Sequence, residues 1–380
     1  MNYLVAPDSF KGSLSSQQAA EAIRMGILSA SPQAVVRMMP MADGGEGTLD
    51  VMEKALKEKK ARKRTCSITL TIDNQILDYK CEYIVYEDKG SKGNGEDVAC
   101  IESARLIGLN LPAMRSISIM QRGSEALGQC MLHARKEGIR RFVIGLGGTA
   151  TNDGGLGMLM QLGMQALDKH GERVSPDLAG LLQVCSIDMC DLLSEFRGME
   201  LTVLTDVQSQ LSGPSGATLM FGGQKGISQA QLAGVDMAMN TFADQCEQAV
   251  GQKKRDMPGS GAAGGLGFAL GLLGADIVSG STYMMRMLDV EKAIAWADWV
   301  VTGEGRSDAQ TLQGKLPCQL ALEARKLDKK VALVSGMIDN TLELAMYFDR
   351  LIPASECGTS VDIAMQQAHA RLCEAASSLP

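Results

Sequence analysis

The sequence predicts an α/β protein: a flavodoxin-like parallel sheet of five strands built from both chain ends, with a second, mixed α/β domain inserted between them. Three observations carry this. Two short apolar runs near the start are each followed by a loop and an amphipathic stretch, the pattern of a strand and its helix. Three more such runs stand near the end. The length of 380 residues also exceeds one ordinary core, which stops growing near ~250–300 residues.

In chain order, residues 3–6 read as the first strand, ended by Pro7-Asp8, and Ala19, Ala20, Ile23, Ile27 and Leu28 then recur at helical spacing. Residues 35–39 give a second strand, with Asp43-Gly-Gly-Glu-Gly47 as its exit loop and a helix from Thr48. Toward the end, 299–302, 331–334 and 350–352 are short strands separated by helical text at 316–326 and 341–347. Residues 1–62 and 285–380 thus form the flavodoxin-like domain, and 63–284 the insertion. Inside the insertion, 67–72 and 79–85 alternate like strands around Asp73-Asn74, a hairpin pattern. Buried-strand text recurs at 141–144 and 201–204, and 87–97 reads as a mobile polar loop.

Composition narrows the class. With 45% hydrophobic and 21% charged residues the chain is that of a soluble globular protein, which excludes disorder as its main state. The 37 Lys and Arg against 44 Asp and Glu leave a net charge of −7, which argues against a nucleic-acid partner. The basic run at 57–64 follows an amphipathic segment at 48–56, where cations suit a helix end. Ten scattered cysteines without Cys-x-x-Cys indicate neither a zinc site nor a disulfide scaffold. No signal-like leader opens the sequence and no run of ~18 apolar residues occurs, so no membrane partner is expected and the expected location is cytoplasmic. Nothing in the pattern decides between a monomer and a homo-oligomer. The three histidines, His133, His170 and His369, stand in helical-looking text, a poor fit to a histidine triad. The 42 glycines cluster instead, and glycine lets backbone approach a ligand closely.

In an open parallel sheet, ligands bind beyond the carboxyl ends of the strands. The residues there are acidic: Asp8 after the first strand, Asp43 and Glu46 after the second, Asp153 after 141–144, Asp206 after 201–204, and Glu304 with Asp308 after 299–302. Carboxylates gathered at one edge repel one another and need an offsetting cation. With oxygen donors plentiful and histidine or thiolate pairs lacking, the matching ion is Mg²⁺, held by one or two carboxylates and by substrate phosphates. The competing reading makes these residues helix N-caps, a task that serine performs equally well.

Three glycine-rich segments accompany the acids. Gly145-Leu-Gly-Gly-Thr-Ala-Thr-Asn-Asp-Gly-Gly155 separates a strand from a helix expected at 158–162, where its amides would cradle phosphate. Its opening also matches G-x-G-x-x-A, which keeps an NAD(P)-dependent dehydrogenase open, although the acid expected to bind ribose, Asp168, follows a helix and closes no second strand. Pro258-Gly-Ser-Gly-Ala-Ala-Gly-Gly-Leu-Gly267 contains G-x-G-x-x-G without a preceding strand, so a ligand-binding helix start and tight helix packing both stay open. Gly222-Gly-Gln-Lys-Gly226 is the third. No G-x-x-x-x-G-K-[ST] occurs, which excludes that route to ATP. Lys11, Lys225 and Arg306 place cations in or beside such loops, and glycine loops, carboxylates and a few cations suffice for phosphoryl transfer.

Several of these segments, in their order along the chain, resemble the bacterial glycerate kinase family: Ala6-Pro-Asp-Ser-Phe-Lys-Gly-Ser-Leu-Ser15, Ala42-Asp-Gly-Gly-Glu-Gly-Thr48, Gly147-Gly-Thr-Ala-Thr-Asn-Asp-Gly-Gly155, Gln224-Lys-Gly226, the 258–267 segment and Thr302-Gly-Glu-Gly-Arg-Ser-Asp-Ala-Gln310. The resemblance implies ATP- and Mg²⁺-dependent phosphorylation of D-glycerate, usually at the 2-hydroxyl, and a cleft between two α/β domains. The chain departs from the family pattern at Gln121-Arg-Gly-Ser-Glu-Ala-Leu127, at Asp206-Val-Gln-Ser-Gln-Leu211 and in lacking a Pro-Leu-Gly turn near position 70, which bears on the acceptor more than on the kinase chemistry.

The combined reading is a small-molecule kinase. Asp206 is the favoured general base and Asp8 the second, because a carboxylate at a strand end can take the acceptor hydroxyl's proton, while Lys11 steadies a substrate carboxylate or the transferred phosphate. Asp43, Glu46, Asp153, Glu304 and Asp308 are the metal-ligand candidates. Ser9, Lys11, Gly44, Gly45, Gly147, Gly148, Thr149, Asn152, Lys225, Gly261, Gly264 and Arg306 are those for glycerate or ATP, and the acids are expected to meet at one cleft rim. A kinase forming 3-phosphoglycerate or using a related hydroxy acid, the dehydrogenase, and a non-catalytic homologue are the alternatives.

Overall fold

The computed structural model describes residues 1–380 except 57–59, 73–74, 89–94, 340 and 356–358. The chain divides into two compact units, Met1–Ala55 with Ser279–Pro380, and Leu56–Val278. Both divisions fall earlier than the expected 62/63 and 284/285. The strand Arg62–Ile72 pairs along its whole length with Gln75–Asp88, which commits its first residues to the insertion. The helix Gly280–Met287, capped by Ser279, is tied to the helix Leu316–Lys326 where Thr282 Oγ1 donates to Gln319 Oε1 at 2.8 Å, which commits it to the terminal unit.

The terminal unit holds a five-stranded sheet in the order Arg350–Pro353, Lys330–Ser335, Trp299–Thr302, Asn2–Val5, Val35–Met38, with every neighbouring pair parallel. In chain order this is the flavodoxin-like 2-1-3-4-5 arrangement. Tyr3, Leu4 and Val5 are all fully buried, as are Val300 and Val301, so both faces of the sheet are covered, as a parallel sheet requires. On one face Tyr3, Val5 and Val334 pack with Ile23 and Ile27 of the helix Ser16–Ala30 and Leu372 of the helix Ala368–Ala376. Ser15 starts the first of these helices with a capping box, accepting from the Gln18 amide while Gln18 reaches back to the Ser15 amide. The helix expected at 341–347 covers only Thr341–Leu344 and ends in a turn closed by the Phe348 amide on the Leu344 carbonyl.

The inserted unit holds a six-stranded sheet in the order Asp276–Val278, Glu200–Leu204, Arg141–Gly145, Glu96–Glu102, Gln75–Asp88, Arg62–Ile72. The first four strands are parallel and the last two joins antiparallel. The expected hairpin forms, closing at Ile72 opposite Gln75, and its turn residues Asp73 and Asn74 lie outside the described residues. Cys66, Ile68 and Leu70 are buried while the residues between them are exposed, the alternation of a sheet solvated on one face.

The polar stretch 87–97 is corrected at both ends: Glu87 and Asp88 finish one strand and Glu96 and Asp97 begin the next, whose residues 98–101 are buried, while 89–94 lie outside the described residues. The basic run is corrected too. The helix Thr48–Ala55 ends before it, residues 57–59 lie outside the described residues, and Arg62, Lys63 and Arg64 are strand residues paired with Asp97, Glu82 and Glu137. No helix among the described residues is long and apolar enough to cross a membrane.

Candidate active site

Strand order explains why three acids gather in the terminal unit. Asn2–Val5 is flanked by Val35–Met38 on one side and Trp299–Thr302 on the other, so loops leaving three adjacent strands carry Asp8, Asp43 and Glu304 to one edge. The register is held past the strand ends, where the Asp8 amide donates to the Gly303 carbonyl at 2.9 Å and the Met41 amide to the Pro7 carbonyl at 3.0 Å. Asp8 and Glu304 are buried, and Lys11 Nζ lies 3.4 Å from Asp43 Oδ2.

Burial, and then the charges of Asp43 and Glu304, push the Asp8 carboxyl well above the usual carboxylate range, against the opposing pull of Lys11 and the Ser9 amide. Asp43 is also raised by burial, but Lys11 and the Gly45 amide at 2.8 Å outweigh this and hold it below its ordinary value. Lys11 is raised, chiefly by Asp43, although its side chain is 71% exposed, so solvent screens the pair and its contribution to stability is small. Glu304 Oε1 accepts from Thr311 Oγ1 at 2.7 Å and Ser307 Oγ at 3.2 Å, while Lys315 Nζ lies 3.5 Å from Oε2. Three carboxylates thus face two ammonium groups.

The first glycine-rich loop, in the inserted unit, is organised by Asp153. Its Oδ2 accepts from the Ser124 amide at 2.8 Å, Ser124 Oγ at 2.7 Å and the Gly157 amide at 3.1 Å, and its Oδ1 from the Gly155 amide at 3.2 Å. The helix that follows is Leu156–Gln161 rather than 158–162, and its first amides are taken by Asp153 and by Ser124 Oγ, which accepts from Met158. A resident carboxylate therefore stands where the sequence placed a phosphate. Burial raises Asp153 in spite of these bonds.

Next to this anchor, Lys225 ends the helix Ala217–Lys225 and donates from Nζ to the Thr151 carbonyl at 2.7 Å. It is buried, and burial drives its pKa down to about 8 against the opposing charge of Asp153. Asn152 Nδ2 donates to Thr218 Oγ1 at 2.9 Å on the same helix. Thr149 Oγ1, Thr151 Oγ1 and Asn152 Oδ1 are buried without a hydrogen-bond partner among the described residues. The second glycine-rich segment backs this loop. Ala263, Gly264 and Gly265 all have positive φ inside the helix Ala262–Leu272, and a Cβ on Gly264 would lie 2.2 Å from the Thr151 carbonyl oxygen. A Cβ on Gly261 would come as close to the Gln210 carbonyl oxygen, and the Gly261 amide donates to the Ser209 carbonyl at 2.9 Å. Close packing, one of the two readings left open for this segment, is present at these glycines.

The remaining predicted residues take up other places. Gly147 and Gly148 form the outer tip of their loop, Gly148 exposed with φ +66°. Asp206 is half-buried just beyond Glu200–Leu204, and Ser9 is half-buried beside Asp8, to whose Oδ1 its amide donates. The Gly44-Gly45 pair is buried, and Glu46 beside it is exposed. Asp308 accepts from the Gln310 amide in a turn, and the exposed Arg306 pairs with Asp339 at 2.7 Å. Asp168 organises a hairpin turn by accepting from the His170 and Glu172 amides, which removes it from the ribose-binding place a dehydrogenase needs.

Among the described residues no group of three or more His, Cys, Asp or Glu is spaced to enclose an ion alone. The donor set nevertheless fits Mg²⁺, which is held by one or two carboxylates when phosphates supply the rest, and a cation here would relieve the repulsion that raises Asp8.

The glycerate kinase family model matches residues 3–379. The chain belongs to the glycerate kinase family. Among its relatives, a glycerate kinase of Bacillus subtilis (strain 168) is 39% identical over 339 residues, covering 89% of this chain and 85% of that protein. A glycerate 2-kinase of Escherichia coli (strain K12) is 32% identical over 382 residues, covering 100% of this chain and 97% of that protein. A crystal structure from Salmonella typhimurium LT2, described as a glycerate kinase 2, superposes with a TM-score of 0.73 at 31% identity and covers 99% of this chain and 96% of that one. Membership sets the chemistry as that of an ATP-using kinase and removes the dehydrogenase reading. Within this member, sequence reasoning missed Lys315, Thr311 and Ser307 around Glu304, and Ser124 beneath Asp153. Gly314-Lys315, a glycine-lysine step soon after Glu304, was the available signal for the first of these.

Proposed function

We propose that this protein transfers the γ-phosphoryl group of ATP to the 2-hydroxyl of D-glycerate, giving 2-phosphoglycerate and ADP. Family membership supports the kinase class, and the name of the Escherichia coli relative supports the 2-hydroxyl. The observation that carries the reading is the sheet edge of the terminal unit, where Asp8, Asp43 and Glu304 gather with Lys11 and Lys315. Phosphoryl transfer asks a protein for position and charge rather than covalent chemistry, and this set supplies both.

In this reading Asp43 and Glu304 would hold Mg²⁺, which when bound would screen and orient the phosphates. Lys11 neutralises charge on the transferred group, and Thr311, Ser307 and Lys315 fix the Glu304 carboxylate behind it. As the hydroxyl oxygen bonds to phosphorus and the bond from phosphorus to the bridging oxygen of ADP breaks, Asp206 takes the hydroxyl proton, with Asp8 as the second choice. Asp153 is left out of the metal set because its oxygens already accept four hydrogen bonds. A cytoplasmic location is supported by nine free cysteines among the described residues, thiols that persist in a reducing compartment.

Purified protein given ATP, MgCl₂ and D-glycerate is expected to release ADP only when glycerate is present, and a phosphorus NMR spectrum of the product distinguishes 2- from 3-phosphoglycerate. Tight ATP binding without turnover would replace this reading with the non-catalytic homologue. Asp206→Asn is expected to lower kcat by about 10²–10⁴-fold, and an unchanged kcat would remove Asp206 as the base.

A further inference from the structure

The inserted unit contains a buried positive charge with too few partners. Lys225 is 6% exposed, and its ammonium, which has three hydrogens to donate, donates among the described residues only to the Thr151 carbonyl. Asp153, whose charge acts on Lys225, already accepts from Ser124, Gly155 and Gly157, and Lys225 makes no ion pair among the described residues. A buried ammonium with one neutral partner is costly unless something anionic completes it.

The loop whose Thr151 carbonyl accepts from Lys225 also carries three orphaned oxygens. Thr149, Thr151 and Asn152 are 2%, 0% and 0% exposed, and Thr149 Oγ1, Thr151 Oγ1 and Asn152 Oδ1 have no hydrogen-bond partner among the described residues. Native proteins rarely leave such groups unsatisfied, and a cluster of them calls for a partner such as a water, an ion or a ligand. The backbone around them is fixed: Asn152 is held by Thr218 on the helix that carries Lys225, and Gly264 packs directly on the Thr151 carbonyl. Collapse of the loop does not supply the absent partners.

We propose that Lys225, Thr149, Thr151 and Asn152 form the seat of the acceptor, with Lys225 pairing the carboxylate of a small hydroxy acid and the three orphaned oxygens meeting its carboxylate and hydroxyl groups. This rests on the kinase reading above and assigns these residues to the acceptor rather than to ATP. One ammonium matches one carboxylate, whereas a triphosphate brings several charges. The oxygens also ask for a ligand that donates as well as accepts: Asn152 Oδ1 only accepts, and a hydroxy acid offers a hydroxyl hydrogen where a fully ionised phosphate offers none.

The test uses the full-length protein and reads thermal unfolding without nucleotide alongside steady-state kinetics. D-glycerate alone is expected to raise the Tm of the wild type, and glycerol, which lacks the carboxylate, is not. Lys225→Met is expected to match or exceed the wild-type Tm without ligand, because it removes an uncompensated charge, while abolishing the glycerate-induced rise. Its KM for glycerate is expected to rise at least 100-fold and its KM for ATP to stay within about threefold. Thr151→Val, a milder change, is expected to raise the glycerate KM about tenfold, and keeps the test available should the lysine variant not fold. A lowered Tm with glycerate protection intact would make Lys225 structural, and a rise confined to the ATP KM would move the seat to the nucleotide; either result overturns the proposal. If the wild type is protected by glycerate but forms no ADP with it, the kinase reading fails and the seat stands.

Discussion

At the scale of single residues, the chemistry depends on which charges are left partly uncompensated. Lys11 faces Asp8, Asp43 and Glu304, and their charges all favour its ammonium form. Removing it leaves those acids repelling one another and takes a cation away from the transferred phosphoryl group. Lys11→Met is therefore expected to cut kcat/KM by about 10²–10³-fold with little loss of Tm, because its surface-screened ion pair contributes little to folding. A lowered Tm with normal turnover would contradict this assignment.

Glu125 is a second such residue. Burial, with Asp153 and Asp177 adding and Arg173 opposing, raises it to about 7. Its folded value thus lies above the unfolded one, so its contribution is fully present below the ordinary carboxylate range and is lost as pH rises through about 7. Glu125→Gln stays neutral throughout, so its stability relative to the wild type is expected to increase from pH 5 to pH 7 and level off above pH 8. Urea midpoints across that range check the sign, and a flat difference would show that Glu125 is not perturbed in this way.

At the scale of elements, the loops matter more than the helices and strands that hold them. Gly264 and Gly251 both have positive φ, at +70° and +73°, but they differ in surroundings. A Cβ at Gly251 meets nothing within 4 Å, whereas at Gly264 it lands 2.2 Å from the Thr151 carbonyl. Gly251→Ala is expected to cost only the left-handed backbone penalty of about 1 kcal/mol. Gly264→Ala adds overpacking against fixed backbone, for a total of at least ~2 kcal/mol, and displaces the carbonyl that holds Lys225. Chemical denaturation of the pair measures the difference, and equal losses would show that the contact relaxes freely. Element reading from sequence succeeded where apolar runs were short and bounded, as at Asn2–Val5 and Trp299–Thr302, and failed at Glu96–Glu102, whose apolar residues follow a long polar stretch.

At the scale of the whole molecule, each unit has its own core. Phe142, Val203, Phe242 and Phe268 belong to one buried cluster of the inserted unit, and Tyr3, Ile23, Val301 and Leu372 to another in the terminal unit. A fragment spanning 56–278 is expected to fold alone, with near-ultraviolet circular dichroism and a cooperative melt. A broad, non-cooperative melt would mean that the insertion depends on the rest of the chain. The terminal unit is discontinuous in sequence, and its central strands, Asn2–Val5 and Trp299–Thr302, come from opposite ends. Its sheet forms only once the insertion has been spanned.

The sequence by itself determined the five-stranded sheet, the presence of an insertion, the acids beyond the strand ends and the family, because periodicity and glycine placement are local properties written in consecutive residues. Only the tertiary structure decided the roles within that inventory. It joined Asp8, Asp43 and Glu304, which lie far apart in sequence, because their strands are neighbours in the sheet. It gave Asp153 to hydrogen bonds with Ser124 and two glycine amides, and left Lys225 buried with a single hydrogen-bond partner among the described residues. Whether a carboxylate or an ammonium is satisfied depends on what packs around it, and that is a property of the fold.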